Sequence, residues 1–235
     1  MAGKRLGAAD MLAPMLLALL GTAAATPIAD RVSSLPGYGP PPTSMYSGFL
    51  NASAAERGTN LHYWLALSSS TAPRAADTPV ILWLNGGPGS SSVLGMLQEH
   101  GPLLIDKDGG LMDNPYAWTT VGHLLVLESP AGVGYSYCAA MERGGSCANT
   151  DISTAAAAAA ALIDFYAKFP ELRANPFFIT GESYAGVYCP TLAAQILENN
   201  KGGGAPPINL VGMAVGDPCT DNDAQREAFD MLWCA

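Results

Sequence analysis

The sequence has 235 residues, of which 49% are hydrophobic and 13% are charged. It is long enough to bury one sizeable core and too apolar to be an intrinsically disordered chain. The formal net charge of −9 argues against nucleic acid and anionic membrane surfaces as partners, because both repel a negatively charged protein.

The N-terminal segment has the features of a secretory signal peptide. Two basic residues, Lys4 and Arg5, precede an apolar run from Met11 to Ala25 that ends in three alanines, the small residues that a signal peptidase needs. The run is too short to cross the ~30 Å hydrocarbon core of a bilayer, although a retained signal anchor is the alternative interpretation. We expect residues 1–25 to be removed and residues 26–235 to form the mature chain, without a membrane segment.

Secretion determines how Asn51 and the cysteines are interpreted. Asn51-Ala52-Ser53 matches the acceptor sequence for N-glycosylation. The five cysteines have spacings that match no metal site, and their odd number leaves at least one outside an internal pair. Cys138 and Cys147 can close a short loop or remain free thiols. We therefore expect neither a metal nor another cofactor.

Apolar segments alternate between strand and helix patterns along the chain. The first two strand patterns alternate as hairpin-like edge strands would, at 46–50 and 61–67. Four later segments are nearly continuous apolar runs typical of buried strands, at 79–85, 123–129, 176–181 and 208–216. Helix patterns occur at 90–100, 151–168 and 185–199, the second with seven consecutive alanines that allow close packing on a sheet. This succession predicts an α/β fold with a mostly parallel central sheet flanked by helices.

One serine is placed as a nucleophile would be. In the segment Gly181-Glu182-Ser183-Tyr184-Ala185-Gly186, Ser183 lies between the end of a predicted strand and the start of a predicted helix. Small residues two positions before and after it allow the strained turn called a nucleophile elbow, which lifts the hydroxyl above the sheet. A serine that only caps a helix is the alternative interpretation.

A glycine-rich loop follows an earlier predicted strand, with the sequence Asn85-Gly86-Gly87-Pro88-Gly89-Ser90-Ser91. Without side-chain bulk, its backbone N–H groups can point at a developing oxyanion, as acyl transfer requires. The loop is not a phosphate-binding P-loop because no Lys-Ser/Thr pair follows, and the spacing of a dinucleotide-binding fingerprint is also absent. A plain tight turn is the alternative interpretation.

These motifs, taken together, resemble the serine carboxypeptidase family. The resemblance covers nearly all of the mature chain and runs in order through LPG (35–37), YSGFL (46–50), LHYWL (61–65), WLNGGPGSSS (83–92), EHGP (99–102), NPYAW (114–118), LESPAGVGYSY (127–137), FPEL (169–172), TGESYAG (180–186) and NLVGMAVGD (209–217). It implies an α/β-hydrolase fold and an enzyme that releases C-terminal amino acids from peptides through an acyl-enzyme.

The resemblance implies a role for each matching residue. Ser183 would be the nucleophile, and the backbone N–H groups of Gly87 and Tyr184 would form the oxyanion hole. The C-terminal carboxylate of a peptide substrate would be held by four side chains, those of Trp83, Asn85, Glu99 and Glu182. Carboxyl groups gathered around another carboxylate cannot all be ionised, so one keeps its proton and donates a hydrogen bond. Binding is then favoured at acidic pH, as in a lysosome or vacuole, and the signal peptide also permits an extracellular location.

The sequence also departs from the family pattern. Ser90 stands where many relatives have a cysteine, so a disulfide of the family cannot form, and Asp217-Pro218 replaces the more usual Asn-Gly. The triad of α/β-hydrolases follows the order serine, acid, histidine. All histidines of this sequence nevertheless precede Ser183, at positions 62, 100 and 123.

The missing histidine indicates that the sequence is the N-terminal part of the fold. We expect it to end before the lid and the last core strands, which carry the triad aspartate and histidine. Loss of these neighbours would leave apolar strand surface exposed and available for pairing with the missing C-terminal half.

Three functions are consistent with the sequence. The first is a serine carboxypeptidase whose activity belongs to the complete enzyme. The second is a carboxypeptidase-like acyltransferase that passes the acyl group to an alcohol, against which Glu182 argues because such relatives commonly have aspartate there. The third is a non-catalytic binding or chaperone-like remnant, favoured by the missing base and opposed by the intact elbow and oxyanion loop.

Overall fold

The computed structural model describes residues 27–69, 75–221 and 223–225. The predicted signal peptide, residues 1–25, lies outside these ranges. The strands of the described part are β1 (Arg31–Val32), β2 (Met45–Asn51), β3 (Asn60–Ala66), β4 (Val80–Leu84), β5 (Leu103–Ile105), β6 (Leu111–Asp113), β7 (His123–Leu127), β8 (Phe177–Glu182) and β9 (Leu210–Gly216). Its α-helices are α1 (Val93–Gln98), α2 (Asp151–Lys168) and α3 (Ala185–Gly202).

A seven-stranded sheet organises this part of the chain, in the order β1-β2-β3-β7-β4-β8-β9. The strands from β1 to β7 in this order pair antiparallel, and β7, β4, β8 and β9 pair parallel. β5 and β6 form a separate two-stranded hairpin. The predicted α/β fold with parallel strands at its centre is confirmed, and the antiparallel strands extend it on one side.

Both faces of the sheet are covered over its central strands. The larger core cluster packs α2 and α3 on one face, and its members include Tyr63, Leu82, Leu125, Phe165 and Ile179. The smaller cluster packs α1 and the β5–β6 hairpin on the other face, and its members include Met45, Trp83, Met96, Leu103 and Val126. Burial of these strands on two faces explains their continuous apolar sequence.

α2 lies close to its neighbours because its contact face consists largely of alanine. Five alanines of the helix are buried: Ala155, Ala157, Ala158, Ala159 and Ala161. Thr150 and Ser153 form a capping box at its start, in which each side chain accepts a hydrogen bond from the other residue's N–H. The helix ends before Pro170, as predicted.

Two expectations about strand exposure are wrong. β3 is not an edge strand, because it lies between β2 and β7, and His62 is buried there through polar contacts. β9 lacks the cover that its apolar pattern predicted, because it pairs only with β8 and is the outermost strand of the described sheet, which agrees with the expectation that apolar strand surface is left exposed. The side chains of Val211 and Met213 are consequently 57% and 52% exposed.

The described cysteines adopt one of the two arrangements left open by the sequence. Cys138 and Cys147 form a disulfide, whereas Cys189 and Cys219 are free thiols. Among the described residues, no group of His, Cys, Asp and Glu side chains is arranged to hold a metal ion. No helix in these ranges is both long and apolar enough to cross a membrane.

Candidate active site

Ser183 occupies the tight turn between β8 and α3. Its φ of 56° lies in the left-handed region that residues with a side chain rarely adopt. Its N–H donates to the carbonyl oxygen of Gly216 at 3.0 Å, and its own carbonyl accepts from the N–H of Cys219 at 2.8 Å. The last residue of β9 and the segment after it therefore fix the turn, and the predicted strand-turn-helix setting is confirmed.

The glycine-rich loop lies directly against this turn. A Cβ atom on Gly86 would come within 2.5 Å of the Tyr184 nitrogen and 2.9 Å of the Ser183 Cβ, closer than real Cβ contacts allow. The next residue, Gly87, has a φ of 109°, which favours glycine. The two candidate oxyanion donors, the N–H groups of Gly87 and Tyr184, thus belong to backbone segments that are in contact.

A hydrogen-bonded chain of side chains runs up to Glu182, the residue before Ser183. The Trp83 indole N–H donates to Asn85 Oδ1 at 2.7 Å, and Asn85 Nδ2 donates to Glu182 Oε1 at 2.8 Å. The N–H of Gly95, in α1, also donates to Asn85 Oδ1 at 3.2 Å. These contacts fix the orientation of the Asn85 amide, with its NH₂ group directed at the carboxylate.

Glu99, which directly follows α1, belongs electrostatically to the same cluster. Burial raises the pKa of Glu99, and the negative charge of Glu182 raises it further. A carboxyl group whose pKa is raised keeps its proton at mildly acidic pH and can donate a hydrogen bond to an anion. Of the four side chains that the resemblance assigned to carboxylate binding, those of Trp83, Asn85 and Glu182 are joined by hydrogen bonds, and that of Glu99 interacts with Glu182 through its charge.

His100 is buried beside this cluster, against two tryptophan rings. Its ring centroid lies 4.2 Å from that of Trp83 and 4.7 Å from that of Trp118. The residue is 3% exposed, and neither ring nitrogen has a hydrogen-bond partner among the described residues. Burial lowers the pKa of His100 to about 4. The imidazole is therefore neutral over most of the acidic range in which the site is expected to act.

The depressed pKa of His100 predicts a loss of stability in acid. The unfolded chain takes up a proton below about pH 6.5, whereas the folded chain resists it until about pH 4. Stability is thus unaffected above pH 6.5 and falls by about 3 kcal/mol as the pH drops through this window. His100→Asn should flatten this decline in urea unfolding measured from pH 7 to pH 4. Lost packing lowers the stability of the variant at every pH, so only the slope of stability against pH tests the prediction. A slope equal to that of the parent protein would contradict the lowered pKa of His100.

Glu128 holds the end of the glycine-rich loop through Ser91. Ser91, at the end of that loop, donates its hydroxyl to Glu128 Oε1, and the N–H of Tyr135 donates to Oε2 at 2.8 Å. Burial alone would raise the pKa of Glu128, but the polar contacts of its carboxylate with His62, Ser91 and the Tyr135 N–H outweigh it and lower the pKa. Sequence reasoning gave Glu128 no role. The available signal was its position directly after β7, at the same sheet edge as Asn85 and Glu182.

None of the three histidines is hydrogen-bonded to Ser183 within the described residues. His62 contacts Ser47 and Glu128. His123 Nδ1 accepts from the N–H of Ser68 at 3.0 Å, at the opposite end of the parallel strands. His100 is enclosed by aromatic rings. The described residues thus supply the turn at Ser183, the glycine-rich loop and the cluster around Glu182, without an imidazole positioned at Ser183.

A cavity of about 430 Å³ opens beside the turn. Its lining includes Pro88 and Gly89 of the loop, Pro130, and the side chains of Asp151, Tyr184 and Tyr188. The Tyr184 hydroxyl donates to Asp151 Oδ1 at 3.0 Å and closes one wall. The cavity is large enough for an amino-acid side chain next to Ser183.

Comparison with known proteins gives a consistent result. The sequence model of the serine carboxypeptidase family matches residues 36–234. The lysosomal protective protein of Mus musculus is 43% identical over 212 residues, which cover 88% of this chain and 41% of that protein. Serine carboxypeptidase 24 of Arabidopsis thaliana is 42% identical over 209 residues, which cover 87% of this chain and 43% of that protein.

A solved structure shares the fold at lower identity. It is that of Kex1(Δ)p, a prohormone-processing carboxypeptidase from Saccharomyces cerevisiae, with a TM-score of 0.72 and 27% identity. The match covers 81% of this chain and 42% of the yeast chain. The chain spans about 40% of the length of the curated relatives that it matches.

Proposed function

The chain belongs to the serine carboxypeptidase family, and from this membership we propose that its residues form the nucleophile and substrate-carboxylate half of an enzyme that releases C-terminal amino acids from peptides. The observation that carries the proposal is the chain from Trp83 through Asn85 to Glu182, which ends one residue before Ser183. It supports a site that holds a free carboxylate beside a nucleophile.

In the proposed reaction Ser183 attacks the last peptide carbonyl of the substrate. The Ser183 Oγ–carbon bond forms while the hydroxyl proton passes to a general base, and the carbonyl oxygen becomes an anion facing the N–H groups of Gly87 and Tyr184. The peptide C–N bond then breaks and the base returns the proton to the leaving amine. Water hydrolyses the acyl-enzyme through the same base. We assign the base to a histidine outside the residues described, because His62, His100 and His123 are otherwise engaged.

The carboxylate cluster gives the proposed reaction its acidic pH dependence. Glu99 donates a hydrogen bond to the substrate carboxylate only while it is protonated. Because its pKa is raised, this form persists to a higher pH than in an ordinary glutamate and is lost as the pH rises through the raised pKa. Substrate binding should therefore weaken toward neutral pH.

A compartment of the secretory pathway, such as a lysosome or vacuole, fits this chemistry. The mouse relative is named for the lysosome. Asn51 is exposed at the end of β2, where its Oδ1 accepts from the Ser53 N–H. Its exposure supports our assignment of Asn51 as an N-glycosylation site.

The test compares a blocked dipeptide with its C-terminal amide, in the complete enzyme that contains these residues together with the polypeptide that supplies the base. We expect release of the C-terminal residue at acidic pH and a rate about 100-fold lower for the amide, because charged hydrogen bonds to the carboxylate are lost. Equal rates on both substrates would contradict carboxylate recognition. Ester formation from an acyl glucose that exceeds hydrolysis would instead identify the acyltransferase.

A further inference from the structure

A second serine contacts a histidine, and the same histidine contacts a carboxylate. Ser47, in β2, has its Oγ 2.9 Å from Nε2 of His62 in β3. Nδ1 of the same imidazole lies 3.0 Å from Oε2 of Glu128, a close contact without linear hydrogen-bond geometry. A nucleophile within reach of a base that is itself oriented by a third group is the general signature of an activated serine.

The proton positions in the Ser47–His62–Glu128 arrangement follow from the chemistry of the Glu128 carboxylate. Glu128 already accepts hydrogen bonds from Ser91 and from the N–H of Tyr135, which favours its ionised form. An ionised carboxylate accepts only, so its charge 3.0 Å from Nδ1 favours the tautomer of His62 that carries its proton on Nδ1. Nε2 is then left with its lone pair and accepts the Ser47 hydroxyl. This is the tautomer that a general base requires.

The backbone around His62 is held rigidly. Its N–H donates to the Ser136 hydroxyl at 2.8 Å, and its carbonyl accepts from the N–H of Glu128 at 3.0 Å. The side chains of His62 and Glu128 are 9% and 2% exposed. Ser47 itself is partly exposed, so reagents in solution can reach a serine whose two supporting groups are fixed.

Exposed aromatic rings surround the imidazole. Phe49, two residues after Ser47, has its ring centroid 5.7 Å from that of His62, and Tyr135 has its centroid 5.2 Å away on another side. These residues are 41% and 73% exposed. Such rings provide a stacking surface for an aryl group next to the serine hydroxyl.

We propose that Ser47, His62 and Glu128 form a second acyl-accepting site, independent of Ser183, that reacts with esters of aromatic alcohols. The Ser47 Oγ–acyl bond forms and the ester C–O bond breaks. The hydroxyl proton moves to His62 Nε2 and from there to the leaving aryl oxide, which departs as a phenol. The product is one acylated Ser47 per chain.

The test uses 4-nitrophenyl acetate on the whole chain in a Ser183→Ala background, which removes the competing nucleophile. Mass spectrometry locates the acetyl group and follows its rate of incorporation. We expect Ser47 to be acetylated about 100-fold faster than the exposed Ser44, because general base catalysis by an imidazole accelerates a reaction by about this factor. His62→Gln should remove this advantage, and Glu128→Gln should reduce it. Ser44→Ala, a matched change at the residue directly before β2, should leave the rate of Ser47 acetylation unchanged.

The outcomes separate the proposal from its alternatives. Acetylation of Ser47 at the rate of Ser44 would overturn it, and this comparison needs no variant at His62. Unchanged acetylation of Ser47 in a His62→Gln variant with an unaltered melting temperature would also overturn it. Because Ser183 is absent from every preparation, the result does not depend on the proposed carboxypeptidase activity.

Discussion

Replacing Ser183 by alanine is expected to abolish peptide hydrolysis by the complete enzyme, with a fall in kcat of roughly 10⁴-fold or more, because the other residue of the turn between β8 and α3, Tyr184, has its phenolic hydroxyl directed at Asp151. Alanine retains the Cβ atom and the same backbone demands at φ 56°. The melting temperature should therefore stay close to that of the parent protein. Release of the C-terminal amino acid and the rate of labelling by a fluorophosphonate are the measurements.

The control for this prediction is Ser44→Ala, which removes an exposed hydroxyl remote from the turn and should leave both rates unchanged. Retention of fluorophosphonate labelling at a comparable rate in Ser183→Ala would mean that another residue is the principal nucleophile. Slow residual labelling confined to Ser47 would not contradict the prediction, since that serine belongs to the separate site proposed above.

Gly86→Ala is expected to damage both the oxyanion site and the fold. The new methyl group would lie 2.5 Å from the Tyr184 nitrogen and 2.8 Å from the Glu182 carbonyl oxygen, and backbone atoms cannot rotate away as a flexible side chain can. The loop or the turn must therefore move. We expect kcat to fall by ~100-fold or more through displacement of an oxyanion donor, and unfolding to become easier by about 2 kcal/mol through overpacking. Urea unfolding and steady-state kinetics measure the two effects.

Gly212→Ala is the matched control for this change. A Cβ on Gly212, in β9, meets only the Phe178 ring at 3.5 Å, an ordinary van der Waals distance. It should be tolerated with little change in stability or kcat. If both glycine variants behaved alike, the close approach of Gly86 to the nucleophile turn would have no functional importance.

Local patterns in the sequence were sufficient to predict the nucleophile turn and the glycine-rich loop. Both depend on small residues at fixed offsets between a strand and a helix, and both are short-range requirements. The same reasoning failed for β3 and β9, because the pattern of a strand does not specify which strands lie beside it. The alternating pattern of 61–67 predicted an edge strand, yet His62 in this segment is buried and contacts Glu128, which directly follows β7.

The Ser47–His62–Glu128 arrangement was beyond the reach of sequence reasoning for the same physical reason. Its three residues come from β2, β3 and the segment after β7, and only the antiparallel pairing of these strands makes them neighbours. The carboxylate cluster likewise joins residues from β4, β8 and the end of α1. Its members were found only through resemblance to a family, since Trp83 and Glu99 taken singly suggest a core aromatic residue and a solvated charge.

The alanine face of α2 has a thermodynamic consequence. A methyl side chain has no rotamers to lose, so ordering these residues carries only the backbone part of the entropy cost, whereas each buried leucine would add ~0.5–1 kcal/mol. The same absence of rotamers means that the interface cannot adjust to a larger neighbour by side-chain rotation. The helix is thus held by close contact of its backbone with its neighbours. A change of volume at the alanine face must therefore be taken up by movement of the entire helix.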